Sequence, residues 1–138
     1  MKKILLLFVC LFVCWVLSAQ QRIKVACVGN SITYGTGLSD RATQSYPVKL
    51  QKLLGERYEV ENFGKPGATL LNQGHRPYTR QEEYRKALDF AGDIVVIHLG
   101  INDTDPRDWP NYRDSFVTDY LNLMDTFRKA NPDVRIII

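Results

Sequence analysis

The sequence is poor in the residues on which several chemistries depend. Its 138 residues hold two histidines, His75 and His98, isolated from each other and from any acidic pair. A metal site draws its ligands from a cluster, so none is expected. Nor is a nucleotide or other cofactor: Gly35-Thr36-Gly37 lacks a third glycine at the required spacing, and no Gly-Lys-Ser/Thr follows the first apolar run. Of three cysteines, Cys10 and Cys14 lie in the amino-terminal apolar run, which leaves Cys27 alone in the rest of the chain. That excludes an intrachain disulfide there and makes Cys27 a small buried core residue. Charge of one sign is also lacking. Without Lys2 and Lys3 the chain carries 16 basic against 15 acidic residues, interspersed as on a solvated surface, which argues against a nucleic-acid partner.

No apolar run is long enough to span a bilayer, which takes about 20 residues. The run from Ile4 to Leu17 is shorter, follows Lys2-Lys3 and precedes Ser18-Ala19 and two glutamines. This is the pattern of a secretory signal peptide over residues 1–19, removed after Ala19. It places the chain in the periplasm or outside the cell, with no integral membrane domain after removal. Lipid attachment at Cys14 fits poorly, because Val13 and Trp15 flank it inside the run. Residues 20–138 have the length of one domain, without repeats, linkers or low-complexity tracts.

Apolar runs alternate with helical spacing along that domain. Ile23–Val28, Tyr58–Phe63, Asp93–Leu99 and Val134–Ile138 read as strands, the first as an apolar run of the kind buried on both faces and the third marked by the consecutive Ile94, Val95, Val96 and Ile97. A helix is expected from Ser45 to Gly55, with Pro47 in its first turn and Tyr46, Leu50, Leu53 and Leu54 on one face. A second is expected over Arg80–Phe90 behind a Thr79/Glu82 capping box, with Tyr84, Leu88 and Ala91 inward. A third should run from Tyr112 to Ala130, where Phe116, Tyr120, Leu123, Met124 and Phe127 recur at helical period. Such alternation predicts an α/β fold with a doubly wound parallel sheet, whose ligands bind beyond the carboxyl ends of the strands.

Three segments stand at those ends. Ser31 follows Gly29-Asn30, in a position suited to a nucleophile and equally to a cap or phosphate ligand. Gly67, within Gly64-Lys65-Pro66-Gly67-Ala68-Thr69, allows close backbone approach to a ligand. Asn102, within Gly100-Ile101-Asn102-Asp103, brings a neutral amide donor. Acyl transfer calls for neutral donors of this kind, since negative charge develops on the carbonyl oxygen in the transition state. The Ser31 and Gly67 N–H groups with the Asn102 side chain would form a three-donor oxyanion hole.

Gly29-Asn30-Ser31, Asn62-Phe63-Gly64 through Gly67-Ala68-Thr69, and Gly100 to Asp103, in this order and each at a strand end, resemble the blocks of the SGNH (GDSL-like) hydrolases. The resemblance runs from Ile23 to the end of the chain. It implies a flavodoxin-like three-layer α/β/α fold and a serine esterase in which Ser31 is the nucleophile and Gly67 and Asn102 are oxyanion donors. Asn30 stands where many members have Asp, a residue outside the family's triad. The longer pattern Gly-Asn-Ser-Ile-Thr-Tyr-Gly, Gly-Ala-Thr-Leu-Leu and Leu-Gly-Ile-Asn-Asp, followed by Pro106 and Trp109, is similar to bacterial carbohydrate esterases, including sialate-type O-acetylesterases. It implies an O-acetylated sugar or other small-molecule ester as substrate. Asn30, Tyr34, Tyr78, Asp103 and Trp109 are the candidates to touch it.

The family's remaining block, Asp-x-x-His, does not occur in these residues. His98 reads as a core or interface histidine and His75 as a solvated loop residue. By the resemblance, the base, its orienting acid and the last strand and helix are expected beyond Ile138. A non-catalytic carbohydrate-binding domain of the same fold, or a lipid esterase or thioesterase of the same superfamily, are the competing readings. The other common serine-hydrolase fold is disfavoured, because its Gly-x-Ser-x-Gly elbow would need glycine where Thr33 stands.

Overall fold

A computed structural model describes residues 21–138; the leader expected over residues 1–19 lies outside the described residues. Strand β1 (Ile23–Gly29) is central, and Val25 to Gly29 are buried on both faces as the unbroken apolar run requires. The short helices α1 (Ser31–Tyr34) and α2 (Arg41–Gln44) and the longer α3 (Tyr46–Leu54) lead to β2 (Tyr58–Gly64). Helix α4 (Glu82–Phe90), β3 (Ile94–His98), the one-turn α5 (Trp109–Tyr112), α6 (Phe116–Ala130) and β4 (Arg135–Ile137) complete the order. All strand pairs are parallel, in the order β2-β1-β3-β4. The chain therefore leaves β1 toward one edge and returns to its other side, which opens a crevice above the ends of β1 and β3.

Alternate residues feed two layers. Ala26, Val28, Phe63, Val95 and Ile97 pack with Ala87 of α4 and Leu123 and Phe127 of α6 in the main core. Cys27 faces the opposite layer, against the Tyr46 hydroxyl of α3. Burial pushes its thiol up to about 11, so it stays protonated and inert at neutral pH. The three-layer α/β/α arrangement expected from the sequence is present. Among the described residues no helix is long and apolar enough to cross a membrane.

Tertiary partners shift several element details. Leu53, expected inward, is 85% exposed. Tyr46, Leu50 and Leu54 are half-buried and Pro47 is the buried residue of α3, while the half-buried Gln51 donates its amide to Tyr58 C=O and accepts the Val60 N–H, and so fixes the helix against β2. The capping box does not form. The Thr79 hydroxyl donates to Asn72 Oδ1 at 2.7 Å, a 3₁₀ turn covers Tyr78–Arg80, and α4 starts at Glu82. Its buried residue is Ala87, and Ala91 closes the helix in the left-handed region at φ 49°. The third helix begins at Phe116, where its inward apolar stripe begins; α5 and a 3₁₀ turn over Arg113–Ser115 precede it.

Candidate active site

The turn after β1 presents Ser31. Asn30 Oδ1 accepts the Ile32 N–H at 3.0 Å, and this caps α1 so that Ser31 occupies its first position, half-buried. Asn30 itself is fully buried and its Nδ2 has no partner among the described residues. It therefore shapes the Ser31 turn and does not reach a substrate, which corrects its expected contact role. Gly29 admits no larger residue: a Cβ there would lie 2.0 Å from Thr33 Oγ1.

The turn after β2 is docked beside it, because the Lys65 N–H donates to Gly29 C=O at 2.8 Å. Lys65, Pro66, Gly67 and Ala68 form a four-residue turn closed by the Ala68 N–H on Lys65 C=O at 3.1 Å. Proline second and glycine third at φ 76° is type II geometry, which L residues other than glycine rarely adopt at the third position. The Gly67 N–H stays outside the turn's own bond. Neither it nor the Ser31 N–H has an acceptor among the described residues.

Asn102 arrives from the turn after β3, a 3₁₀ segment over Ile101–Thr104 entered through Gly100 at φ 117°. Its Nδ2 donates to Ala68 C=O at 2.8 Å, which seats the amide next to Gly67 and leaves it a second N–H. Hydrogen bonds thus bring the Ser31, Gly67 and Asn102 turns to one end of the sheet. Together they offer a hydroxyl and up to three neutral donors, the equipment for stabilising an oxyanion.

The other expected contact residues divide. Tyr78 is fully buried, donates its hydroxyl to Phe63 C=O at 2.7 Å and meets Tyr84 edge-on, so it is a core residue and not a substrate contact. Asp103 is also fully buried and accepts the Leu70 and Leu71 N–H groups at 2.9 and 2.7 Å. It is structural, again a correction. Burial raises its pKa and the two N–H bonds pull it back in part, so the ionised form is the costlier one in the fold. Its contribution to stability is accordingly greatest below the unfolded value and is lost as pH rises through the folded one. Tyr34 is half-buried with the Arg41 guanidinium 4.0 Å above its ring. Trp109 is 40% exposed and packs edge-on against Phe116.

Of the two histidines, His98 is the last residue of β3, in register with Gly29 of β1, and His75 departs from the expected solvated loop position. His75 is paired to an acid: its Nδ1 lies 2.6 Å from Asp108 Oδ2, and Asp108 Oδ1 accepts the His75 N–H at 2.9 Å. Asp108 is buried, and Asp119 binds the Asn72 N–H and Nδ2 in the same way at 2.8 and 2.9 Å. Three carboxylates, from Asp103, Asp108 and Asp119, therefore each hold two donors of the loop 70–75. The sequence offered one indirect sign of this clasp: a long loop between β2 and α4 must place its N–H groups somewhere, and several aspartates, Asp103, Asp108 and Asp119 among them, follow β3. Among the hydrogen bonds of the described residues none links Ser31 to a histidine, and among those residues no group of three His, Cys, Asp or Glu side chains is placed to hold a metal.

Residues 27–138 match the model of the GDSL-like Lipase/Acylhydrolase family. Over 109 residues the chain is 43% identical to an acetylxylan esterase of Xylanibacter ruminicola, an alignment that covers 79% of this chain and 22% of that protein. Among solved structures it is similar to a family 3 carbohydrate esterase of Clostridium thermocellum (TM-score 0.58, 22% identity, 84% of this chain and 60% of that one). It is also similar to AlinE4, an SGNH-hydrolase family esterase (TM-score 0.57, 19% identity, 86% and 59%). The chain thus spans about a fifth of the curated relative and about three fifths of these structures, whose likeness is one of fold.

Proposed function

As the chain belongs to the GDSL-like lipase/acylhydrolase family, we propose that it is the nucleophile-bearing part of a serine esterase that removes O-acyl groups, chiefly acetyl, from carbohydrates. The observation that carries this reading is the junction of the Ser31, Gly67 and Asn102 turns at one sheet end, with the Ser31 and Gly67 N–H groups unengaged among the described residues. Ser31 Oγ attacks the ester carbonyl and loses its proton to a base. The carbonyl oxygen becomes an oxyanion held by the Ser31 and Gly67 N–H groups and the free N–H of Asn102, and the sugar alcohol departs with a proton. Water then attacks the acyl-Ser31 ester, and acetate leaves. The base is a histidine outside residues 21–138. Among the hydrogen bonds of the described residues none joins Ser31 to His75 or His98.

The acetylxylan esterase relative supports a carbohydrate acetate as substrate. With the complete domain, acetate release from acetylated xylo-oligosaccharides is expected to exceed hydrolysis of long-chain acyl esters. A preference for the long chains would move the protein to the lipid-esterase or thioesterase branch. Binding of sugars without release of acetate would leave a non-catalytic carbohydrate-binding domain. We also propose export, on the Lys2-Lys3 start and short apolar run. Mass spectrometry of protein exported by a bacterial host should find a chain beginning near Gln20; a soluble exported product that retains Met1 would contradict it.

A further inference from the structure

We propose that Arg76 is a specificity-determining residue, which recognises a carboxylate carried by the substrate close to its scissile ester. This rests on the esterase reading above and adds a substrate class to it. Arg76 is exposed, and its Cδ and Nη1 lie 3.5 Å from the point where a Cβ on Gly67 would stand. The guanidinium therefore flanks the turn that offers the oxyanion N–H.

Its charge is uncommitted. In the loops 65–78 and 100–109 the other lysine and arginine have acids: Lys65 binds Glu83 at 2.9 Å and Arg107 binds Asp105 at 2.8 Å. The acids of these loops are likewise engaged, Asp103 by the Leu70 and Leu71 N–H groups. Among the described residues no carboxylate pairs with Arg76. A guanidinium left in this state presents a planar fork of donors that matches a carboxylate.

Its backbone is fixed on both sides. Arg76 C=O accepts the Thr69 N–H at 2.9 Å, the Tyr78 N–H donates to Thr69 C=O at 2.8 Å, Pro77 follows, and the preceding His75 is held at backbone and ring by buried Asp108. An arginine on so restrained a stem loses less freedom on binding than one on a mobile loop.

The test uses the complete domain and three esters: methyl xyloside monoacetate, methyl glucuronoside monoacetate, and the monosuccinate of 4-nitrophenol. The first is neutral, the second carries the carboxylate on the sugar and the third on the acyl group. The expected result is a wild-type preference for one acidic ester over its neutral counterpart, 4-nitrophenyl acetate serving for the third. Arg76→Ala and Arg76→Gln should lower kcat/KM for that ester by roughly tenfold or more, mainly through KM, and leave the neutral esters unchanged. Arg80→Ala, an exposed arginine elsewhere on the surface, should change neither, and the preference should shrink as salt is raised. Equal wild-type rates on acidic and neutral esters, or an equal loss on both in the Arg76 variants, would overturn the proposal while the esterase reading stands. No hydrolysis of any ester would overturn both.

Discussion

Replacing Ser31 with alanine should abolish ester hydrolysis by the complete domain, with a loss in kcat of roughly a thousandfold or more, as for other serine nucleophiles acting within a unit. The remaining rate would come from substrate binding and the oxyanion donors alone. The substitution is clean. The Ser31 hydroxyl makes no hydrogen bond among the described residues, and the turn that presents it is held by Asn30 and by backbone bonds that alanine keeps. The thermal midpoint should therefore stay close to wild type while turnover disappears, a separation that a structural serine would not give. His75→Ala and His98→Ala should retain most of the activity. A loss at His75 as deep as at Ser31 would make the His75–Asp108 pair the base and would remove the need for one outside residues 21–138.

Asn102→Ala should lower kcat by roughly a hundredfold or more with little change in KM, because one oxyanion donor is worth about 3 kcal/mol in the transition state and little in the ground state. A second effect accompanies it. The Asn102 amide also ties the turn to Ala68 C=O, so its removal should cost about 1 kcal/mol of stability and loosen the Gly67 turn. Asn102→Asp is the sharper comparison. It keeps the side-chain size, but it loses the Ala68 bond and sets a negative charge where the oxyanion forms, so kcat should fall at least as far as in the alanine variant. Steady-state kinetics on an activated acetate ester reads both, and a variant that changes KM alone would place Asn102 in ground-state binding.

What the sequence made legible was local. The apolar run of β1 could be satisfied only by a strand covered on both faces, the four consecutive apolar residues of β3 mark a second strand, which alternates half-buried and buried residues, and a glycine marks the turn after each run. Pro66-Gly67 states its own turn type, and Ser31 and Asn102 follow strands directly, so their place at the mouth was a matter of chain order. What escaped depended on partners far along the chain. The Asp108–His75 and Asp119–Asn72 pairs join residues 33 and 47 positions apart, and no spacing rule points to them. Tyr78 and Asp103 looked like surface contacts because of their loops, yet the Phe63 carbonyl and the Leu70 and Leu71 N–H groups needed partners and drew both inside. Thr79 offered a sound capping box, but it lies in the 3₁₀ turn over Tyr78–Arg80, its hydroxyl donates to Asn72, and the helix starts behind Gln81. In each case a long-range bond to an otherwise stranded polar group outweighed a local preference.

The central claim is that Ser31 is an activated nucleophile, and covalent labelling of the complete domain tests it most directly. A fluorophosphonate loses fluoride to an activated serine and leaves a stable phosphonyl ester, which peptide mass spectrometry can place. The account predicts one adduct per chain, on the peptide that contains Ser31, formed in step with loss of hydrolysis and absent from Ser31→Ala. An unmodified Ser31 in fully inactivated protein, or equal labelling of the Ser31→Ala variant, would contradict it.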